Sequence, residues 1–198
     1  MSESPAIKVT RKNGNEQFQD NEKLLTFNLL SFWQWSSSDL VGNTLRGMLA
    51  EFIVASAVGS TEGTRTEWDA FDIETPDKIK IEVKSSAYVQ SWSQQKLSSI
   101  CFGIQPTLGW DAKSNTYSKQ RIRQSDIYVF CLLAHKNKDT IDPLNLDQWV
   151  FYIMAAETLN KAVGNQKTIA LSSLEKLKPI KVKYGSNNKT ILQLSSSS

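Results

Sequence analysis

WDAFDIETPDKIKIEVKSSA, residues 68–87, alternates apolar and polar side chains on both sides of a short turn. Successive side chains of a β-strand point to opposite faces of the sheet, so the alternation predicts two strands that each have one apolar face. The sequence between them, 75–78, has turn chemistry, because proline fixes one backbone dihedral and aspartate can bond its own backbone. This stretch is therefore predicted to fold as a β-hairpin.

The register of this hairpin follows from where its apolar residues must lie. A three-residue loop at 76–78 places Ile73 opposite Ile81 and Asp72 opposite Glu82. A two-residue loop would mix apolar and charged side chains, and a slip of one residue moves the whole apolar set to the wrong face. Directly opposite residues have Cβ atoms about 4.5–5.5 Å apart. The two carboxylates are thus predicted to lie close enough to repel unless a cation lies between them.

The charged face of the hairpin also carries Lys84. Two carboxylates and a lysine at this spacing are the side chains that a magnesium-dependent phosphodiesterase needs. Asp69 falls on the apolar side in this register and is the weaker candidate acid. The alternative is an exposed hairpin with an ordinary solvated face, because short acidic patterns are common.

A helix is predicted upstream, over residues 43–59, with Asn43 or Thr44 as its cap and Gly59 as its left-handed end. Glu51 interrupts its apolar side, and a carboxylate beside an apolar stripe is costly to bury without a cation or a donor. A position at the solvent boundary is the alternative for this glutamate. The predicted apolar stripe consists of Leu45, Met48, Leu49, Phe52, Ile53 and Ser56.

The order of Glu51, Asp72 and the run Glu82-Val83-Lys84 resembles the PD-(D/E)xK nuclease superfamily, the restriction endonuclease-like proteins. The first half of the motif, proline followed by aspartate, is not matched in full, since Phe71 rather than proline precedes Asp72. The resemblance implies an α/β fold with a mixed central sheet flanked by helices, and a motif-bearing core over 43–133. The segment FWQWSSSDLVGNTLRGMLAEF also resembles the opening of a bacterial, restriction-associated group of this type.

The resemblance implies a metal-dependent DNA endonuclease of restriction or phage-defence type. Asp72, Glu82, Glu51 and the backbone carbonyl of Val83 would hold Mg²⁺, with Mn²⁺ able to substitute, and Lys84 would stabilise charge on the phosphate or orient the attacking water. A structure-specific nuclease such as a junction resolvase stays open, as does a non-catalytic DNA-binding subunit of the same fold. A homodimer and a methyltransferase partner are further expectations.

Two segments supply the predicted DNA contacts. The first follows the motif, and the second is a predicted long loop, 105–124, in which basic residues alternate with Trp110 and Tyr117. Long loops are usually functional or disordered, and cations with aromatics suit phosphate contacts and base stacking. The alternative for the two serines is a cap or a turn, and for the two glutamines it is cover of a sheet edge. For the basic residues the alternative is a solvated loop. The predicted contacts are Ser85, Ser86, Gln90, Gln94, Lys113, Lys119, Arg121 and Arg123.

The 198 residues are predicted to form one domain with a full hydrophobic core. Residues 1–40 are expected to be a helical extension whose Phe32, Trp33 and Trp35 pack on the core rather than stack on bases. Strands are expected over 99–104, 127–134 and 148–154, helices over 155–163 and 171–178, a hairpin over 181–194, and a frayed tail over 195–198.

Composition excludes several other classes of function. No run of eighteen apolar residues and no basic-then-apolar leader is present, which predicts a cytoplasmic protein without a membrane span. Cys101 and Cys131 lie in apolar runs and are expected to be buried free thiols. With His135 as the single histidine, they are too few for a structural zinc site. The net charge of +3 does not by itself demand nucleic acid.

Overall fold

The computed structural model describes residues 7–65, 70–111 and 116–196. The helices are α1 Leu29–Ser36, α2 Asn43–Ala57, α3 Ala156–Val163, α4 Leu171–Lys176 and α5 Asn187–Ser195. The strands are β1 Gln17–Asp20, β2 Lys23–Asn28, β3 Ile73–Glu74, β4 Lys80–Ala87, β5 Cys101–Gly103, β6 Thr107–Asp111, β7 Thr116–Ile122, β8 Ile127–Leu133, β9 Trp149–Ala155, β10 Thr168–Ala170 and β11 Ile180–Val182. Predictions that fall on Trp68, Asp69, Lys113, the end of the tail at 197–198, and the side chains of Trp110 and Tyr117 lie outside the described residues.

A five-stranded mixed sheet forms the centre, in the order β11-β9-β8-β4-β3. β4 and β8 pair in parallel, whereas the other neighbours are antiparallel. Every residue of β8 is buried, as expected for a central strand that is covered on both faces. The predicted α/β class, with a mixed central sheet flanked by helices, is confirmed.

Alternate residues of the central strands build two cores, one on each face of the sheet. Ile127, Val129 and Cys131 of β8 pack towards α2 and α5. Tyr128, Phe130 and Leu132 pack on the other face, against α3, α4 and the β5–β10 pair. Period-two alternation therefore places each strand side chain in one of two distinct apolar layers.

The motif hairpin adopts the predicted register. Ile73 pairs with Ile81, and the backbone N–H of Thr75 donates to the carbonyl of Ile79. These pairs leave a three-residue loop at 76–78. β3 has only two residues, so the edge of β4 has no strand beside it beyond Ile81.

α2 buries a different stripe from the one predicted. Its buried residues are Arg46, Ala50, Ile53 and Val54, so the helix is rotated and Phe52 is exposed. Hydropathy missed this rotation because an arginine lies on the buried line. Its guanidinium donates to Val41 O, Asn43 Oδ1, Ser85 Oγ and Gln90 Oε1.

Gly42, rather than Asn43 or Thr44, precedes the first turn of α2, and no side chain caps it. The Asn43 oxygen accepts from Arg46 instead. The predicted end of this helix is correct, since Gly59 adopts a φ of 71°.

The N-terminal segment is a hairpin, β1–β2, followed by α1. No residue of α1 is buried, so the expectation that Phe32, Trp33 and Trp35 pack on the core is wrong. The first two N–H groups of α1, from Leu29 and Leu30, donate to Glu16 O and Gly14 O. These two hydrogen bonds therefore tie the start of the helix to the N-terminal segment.

Three further predictions are corrected. Within the predicted loop 105–124, the described residues form two paired antiparallel strands, β6 and β7. Residues 181–194 do not form the predicted hairpin, because they contain the end of β11 and most of α5. Asn187, Thr190 and Ile191 of α5 are buried at helical spacing. Cys101 is exposed, because it lies on the short β5–β10 pair, whereas Cys131 is buried in the central strand.

β5, β8, β9, α3 and α4 lie within a few residues of the predicted strands and helices, whereas β10 was not predicted. None of the helices in the described part of the chain has the length and apolar character that a membrane crossing requires.

Arg123 is buried at the point where β7 leaves towards β8. Its guanidinium donates to the carbonyls of Ile104, Gly164 and Gln166 and to the side chain of Asn160, at 2.7–3.1 Å. It thus joins the segment after β5 to the end of α3 and the turn beyond it.

We expect Arg123→Ala to lower the free energy of unfolding by about 3 kcal/mol or more, because buried carbonyls lose their donors. Arg121→Ala, two residues earlier on exposed β7, is the matched control and should change it by less than about 0.5 kcal/mol. Urea unfolding of both variants measures the difference. Equal effects would contradict the structural role of Arg123.

Candidate active site

The Asp72 carboxylate lies at the open edge of β4. Its Oδ2 accepts a hydrogen bond from the Val83 N–H at 2.7 Å, and the Asp72 N–H donates to Ile81 O at 3.1 Å. The side chain therefore occupies the place where the next residue of β3 would have paired. This geometry holds the aspartate beside Glu82, as the register predicts.

Glu82 and Lys84 lie on the same face of β4 and form an ion pair. Lys84 Nζ is 2.5 Å from Glu82 Oε1, with side-chain exposures of 30% and 19%. The other oxygen of Glu82 accepts from Ser125 Oγ at 3.2 Å. Ser125 is buried just before β8, and no pattern near the motif in the sequence pointed to it.

Glu51 reaches the site from α2 and is held by Arg65. Its two oxygens accept from Arg65 Nε at 2.5 Å and from Nη2 at 3.1 Å. The Glu51 side chain is 17% exposed, which agrees with the predicted position beside the apolar layer. Arg65 was also missed, because it lies in a polar segment without periodicity.

The charges of these residues act on one another. The pKa of Asp72 is raised to about 6, first by burial and then by the negative charges of Glu82 and Glu51, against the opposing effects of Lys84 and the Val83 N–H. Burial disfavours the Lys84 ammonium, but the three carboxylates outweigh it and its pKa is raised. The structure therefore brings the four predicted catalytic residues into one electrostatic unit.

The donor chemistry of Asp72 and Glu82 fits a hard cation. Mg²⁺ in proteins is commonly bound by one or two carboxylates together with phosphate and water, and a cation would relieve the repulsion that raises the pKa of Asp72. As arranged, however, no group of three or more Asp, Glu, His or Cys side chains in the described ranges could hold a metal ion. Glu51 is paired with Arg65 instead.

The predicted DNA-contacting residues at the end of β4 and just after it are mostly buried or hydrogen-bonded within the protein. Gln90 is buried, and its amide nitrogen donates to Ala87 O and Ser98 Oγ. Gln94 accepts from the Gln90 N–H, while Ser85 accepts from Arg46. Ser86 is buried. These contacts favour a structural role for all four residues, although Ser85 and Ser86 lie within β4 rather than in a cap or turn.

The basic residues of the β6–β7 hairpin divide into two kinds. Lys119 and Arg121 are exposed and stay predicted phosphate contacts. Arg123 is buried and uses its donors inside the protein, which favours a structural role.

We expect Asp72→Asn to stabilise the protein at about pH 8 without divalent cations, because the amide oxygen can still accept from Val83 while the repulsion is gone. The carboxyl titrates near 3.9 when unfolded and near 6 when folded. The folded state therefore holds more protons between these values, and the wild type loses stability as pH rises from about 4 to about 6.

Urea unfolding in chelator at about pH 4 and about pH 8 measures this window. The variant should exceed the wild type only at the higher pH. The exposed Asp20→Asn is the control, and an advantage for Asp72→Asn that does not depend on pH would contradict the argument.

Comparison with known families gives one match that covers most of the chain. The family model described as bacteriophage T4 endonuclease IV matches residues 3–173. The matched range includes α2, the motif hairpin and Ser125, and thus every residue of the site described above. No curated protein sequence matches the chain. The chain belongs to the bacteriophage T4 endonuclease IV family.

Proposed function

We propose that this protein is a metal-dependent endonuclease that hydrolyses phosphodiester bonds in DNA. One observation carries the proposal: Asp72, Glu82 and Lys84 meet at the open edge of β4 beside Glu51, in a chain of an endonuclease family. Carboxylates held close together destabilise a fold unless a cation binds between them. Strongly perturbed pKa values also cluster at functional sites.

Asp72 and Glu82 are the proposed ligands of Mg²⁺, for which Mn²⁺ can substitute, and the carbonyl of Val83 is a proposed third oxygen. The bound ion would supply a water of lowered pKa and offset charge at the phosphorus. Ser125 orients Glu82 through its hydrogen bond. The Val83 N–H orients Asp72 in the same way.

Lys84 is the proposed group that stabilises charge on the phosphate or orients the attacking water. Its raised pKa keeps the ammonium charged at neutral pH. Glu51 is a proposed further ligand, and this role requires that its carboxylate part from Arg65, with which it is now paired.

Membership of the PD-(D/E)xK superfamily is part of the same proposal, supported by the order of Glu51 on α2, Asp72 just before β3, and Glu82 and Lys84 on β4. A restriction or phage-defence role, action in the cytoplasm, a homodimer and a methyltransferase partner are proposals that rest on the resemblance alone. The ion pair and crowded carboxylates argue against a non-catalytic subunit, which has no need of them.

We expect Glu82→Ala and Lys84→Ala to lower DNA cleavage by about a hundredfold or more, because the first removes a proposed metal ligand and the second removes the positive charge that stabilises the phosphate. Supercoiled plasmid and branched DNA with Mg²⁺ or Mn²⁺ are the substrates. Lys78→Ala, in the exposed turn of the same hairpin, is the matched control and should cut normally. Cleavage by both site variants at the wild-type rate would remove the active-site assignment.

Magnesium binding has a readout that does not depend on activity. A ligand that binds the folded state alone stabilises it by about 2.7 kcal/mol at a hundred times its Kd. We expect added Mg²⁺ to raise the Tm of the wild type and of Glu157→Gln, an exposed glutamate on α3. Glu82→Gln should show no such rise, and a rise equal to that of the wild type would contradict the assigned ligand.

A further inference from the structure

A cavity of about 440 Å³ opens between α2, the segment 60–65 and β3. Its volume lies within the range of about 300–1,000 Å³ that is typical of ligand sites. Glu51 and Asp72 line it, and both belong to the candidate active site. Whatever occupies the cavity therefore lies next to the position where the scissile phosphate would be held.

One wall of the cavity is apolar and accessible. Phe52 lines it and is 57% exposed, and Met48, one turn earlier on α2, also lines it and is exposed. Phe71 adds a half-buried ring from the start of the motif hairpin. Flat aromatic faces beside a nuclease site suit the stacking of a base, which any of the four bases can provide.

Another part of the wall carries positive charge. Arg11 and Arg65 both line the cavity, where Arg11 Nη1 donates to Thr61 O at 3.2 Å and Arg65 holds Glu51. The planar guanidinium fork matches the geometry of a phosphate group. Glu51, Glu62, Asp72 and Glu74 line the cavity too, and Glu51 pairs with Arg65. An anion is therefore favoured at Arg11 and, once Glu51 parts from it, at Arg65, but not elsewhere on the wall.

We propose that this cavity holds one nucleotide of the DNA, adjacent to the cleaved bond and unstacked from its neighbour. Its base lies on Phe52, and its phosphate faces Arg11 and Arg65. This inference rests on the proposed function and adds a subsite to it. A solvent-filled groove without a role in recognition is the competing explanation.

The test uses an oligonucleotide whose cleaved bond has been mapped, with an abasic residue placed in turn at each position around that bond. Wild-type protein should lose about tenfold in cleavage at one position, the one whose base enters the cavity. Phe52→Ala should lose about the same factor on intact DNA and lose nothing more at that position. Phe52→Trp should retain the wild-type pattern.

Trp35→Ala is the matched control, because Trp35 is 84% exposed and does not line the cavity. It should keep the full abasic effect. Since Phe52 is exposed, its replacement leaves the core intact, which thermal unfolding checks. An abasic effect of equal size in wild type and Phe52→Ala, or no sensitive position, overturns the subsite.

A measurement of DNA binding without cleavage tests this inference separately from the proposed function. Lys84→Ala protein is mixed with the oligonucleotide carrying the fluorescent base 2-aminopurine at each position. A rise in 2-aminopurine fluorescence at one position, as the base leaves its neighbour, supports the subsite whether or not cleavage is seen, provided that the rise is lost in the Lys84→Ala/Phe52→Ala double variant. Absence of such a rise overturns the subsite, whereas unimpaired cleavage by Lys84→Ala would overturn only the catalytic assignment.

Discussion

The hydrogen bond from the Val83 N–H to the Asp72 carboxylate determines the geometry on which the site depends. It ends the pairing of β3 with β4 after two residues and replaces the next backbone partner by a side chain. The carboxylate is consequently fixed beside Glu82 although the two repel. The repulsion between the two carboxylates opposes folding locally, and the buried sheet around them supplies the stability that keeps them together.

Two buried arginines hold the elements around this site. Arg46 joins the start of α2 to the end of β4 and the turn that follows, and Arg123 joins β7 to the end of α3. Both bond mainly to neutral oxygens, and burial lowers the pKa of each. Arginine keeps its charge under such burial, because its ordinary pKa is far above neutral.

The alternation of apolar and polar residues was enough to predict the strands and the hairpin register. It was not enough to predict features that depend on packing between distant elements. The register of the motif hairpin follows from the apolar residues on one of its faces, such as Ile73 and Ile81, and the structure brings Asp72 beside Glu82 as that register predicts. The rotation of α2 did not follow, because a buried Arg46 is invisible to hydropathy. The contacts of Ser125 and Arg65 join residues distant in the chain, so no spacing could reveal them.

The parallel pairing of β4 with β8 has a consequence for how this protein can vary. Lys80 N donates to Asp126 Oδ2 across 46 residues of chain, and the β6–β7 hairpin lies within that excursion. Doubling a loop costs only about 0.6 kcal/mol in closure entropy. Strands β6 and β7 can therefore lengthen or shorten at a small cost while β4 and β8 keep their places, so that their exposed surface could change without moving the candidate active site.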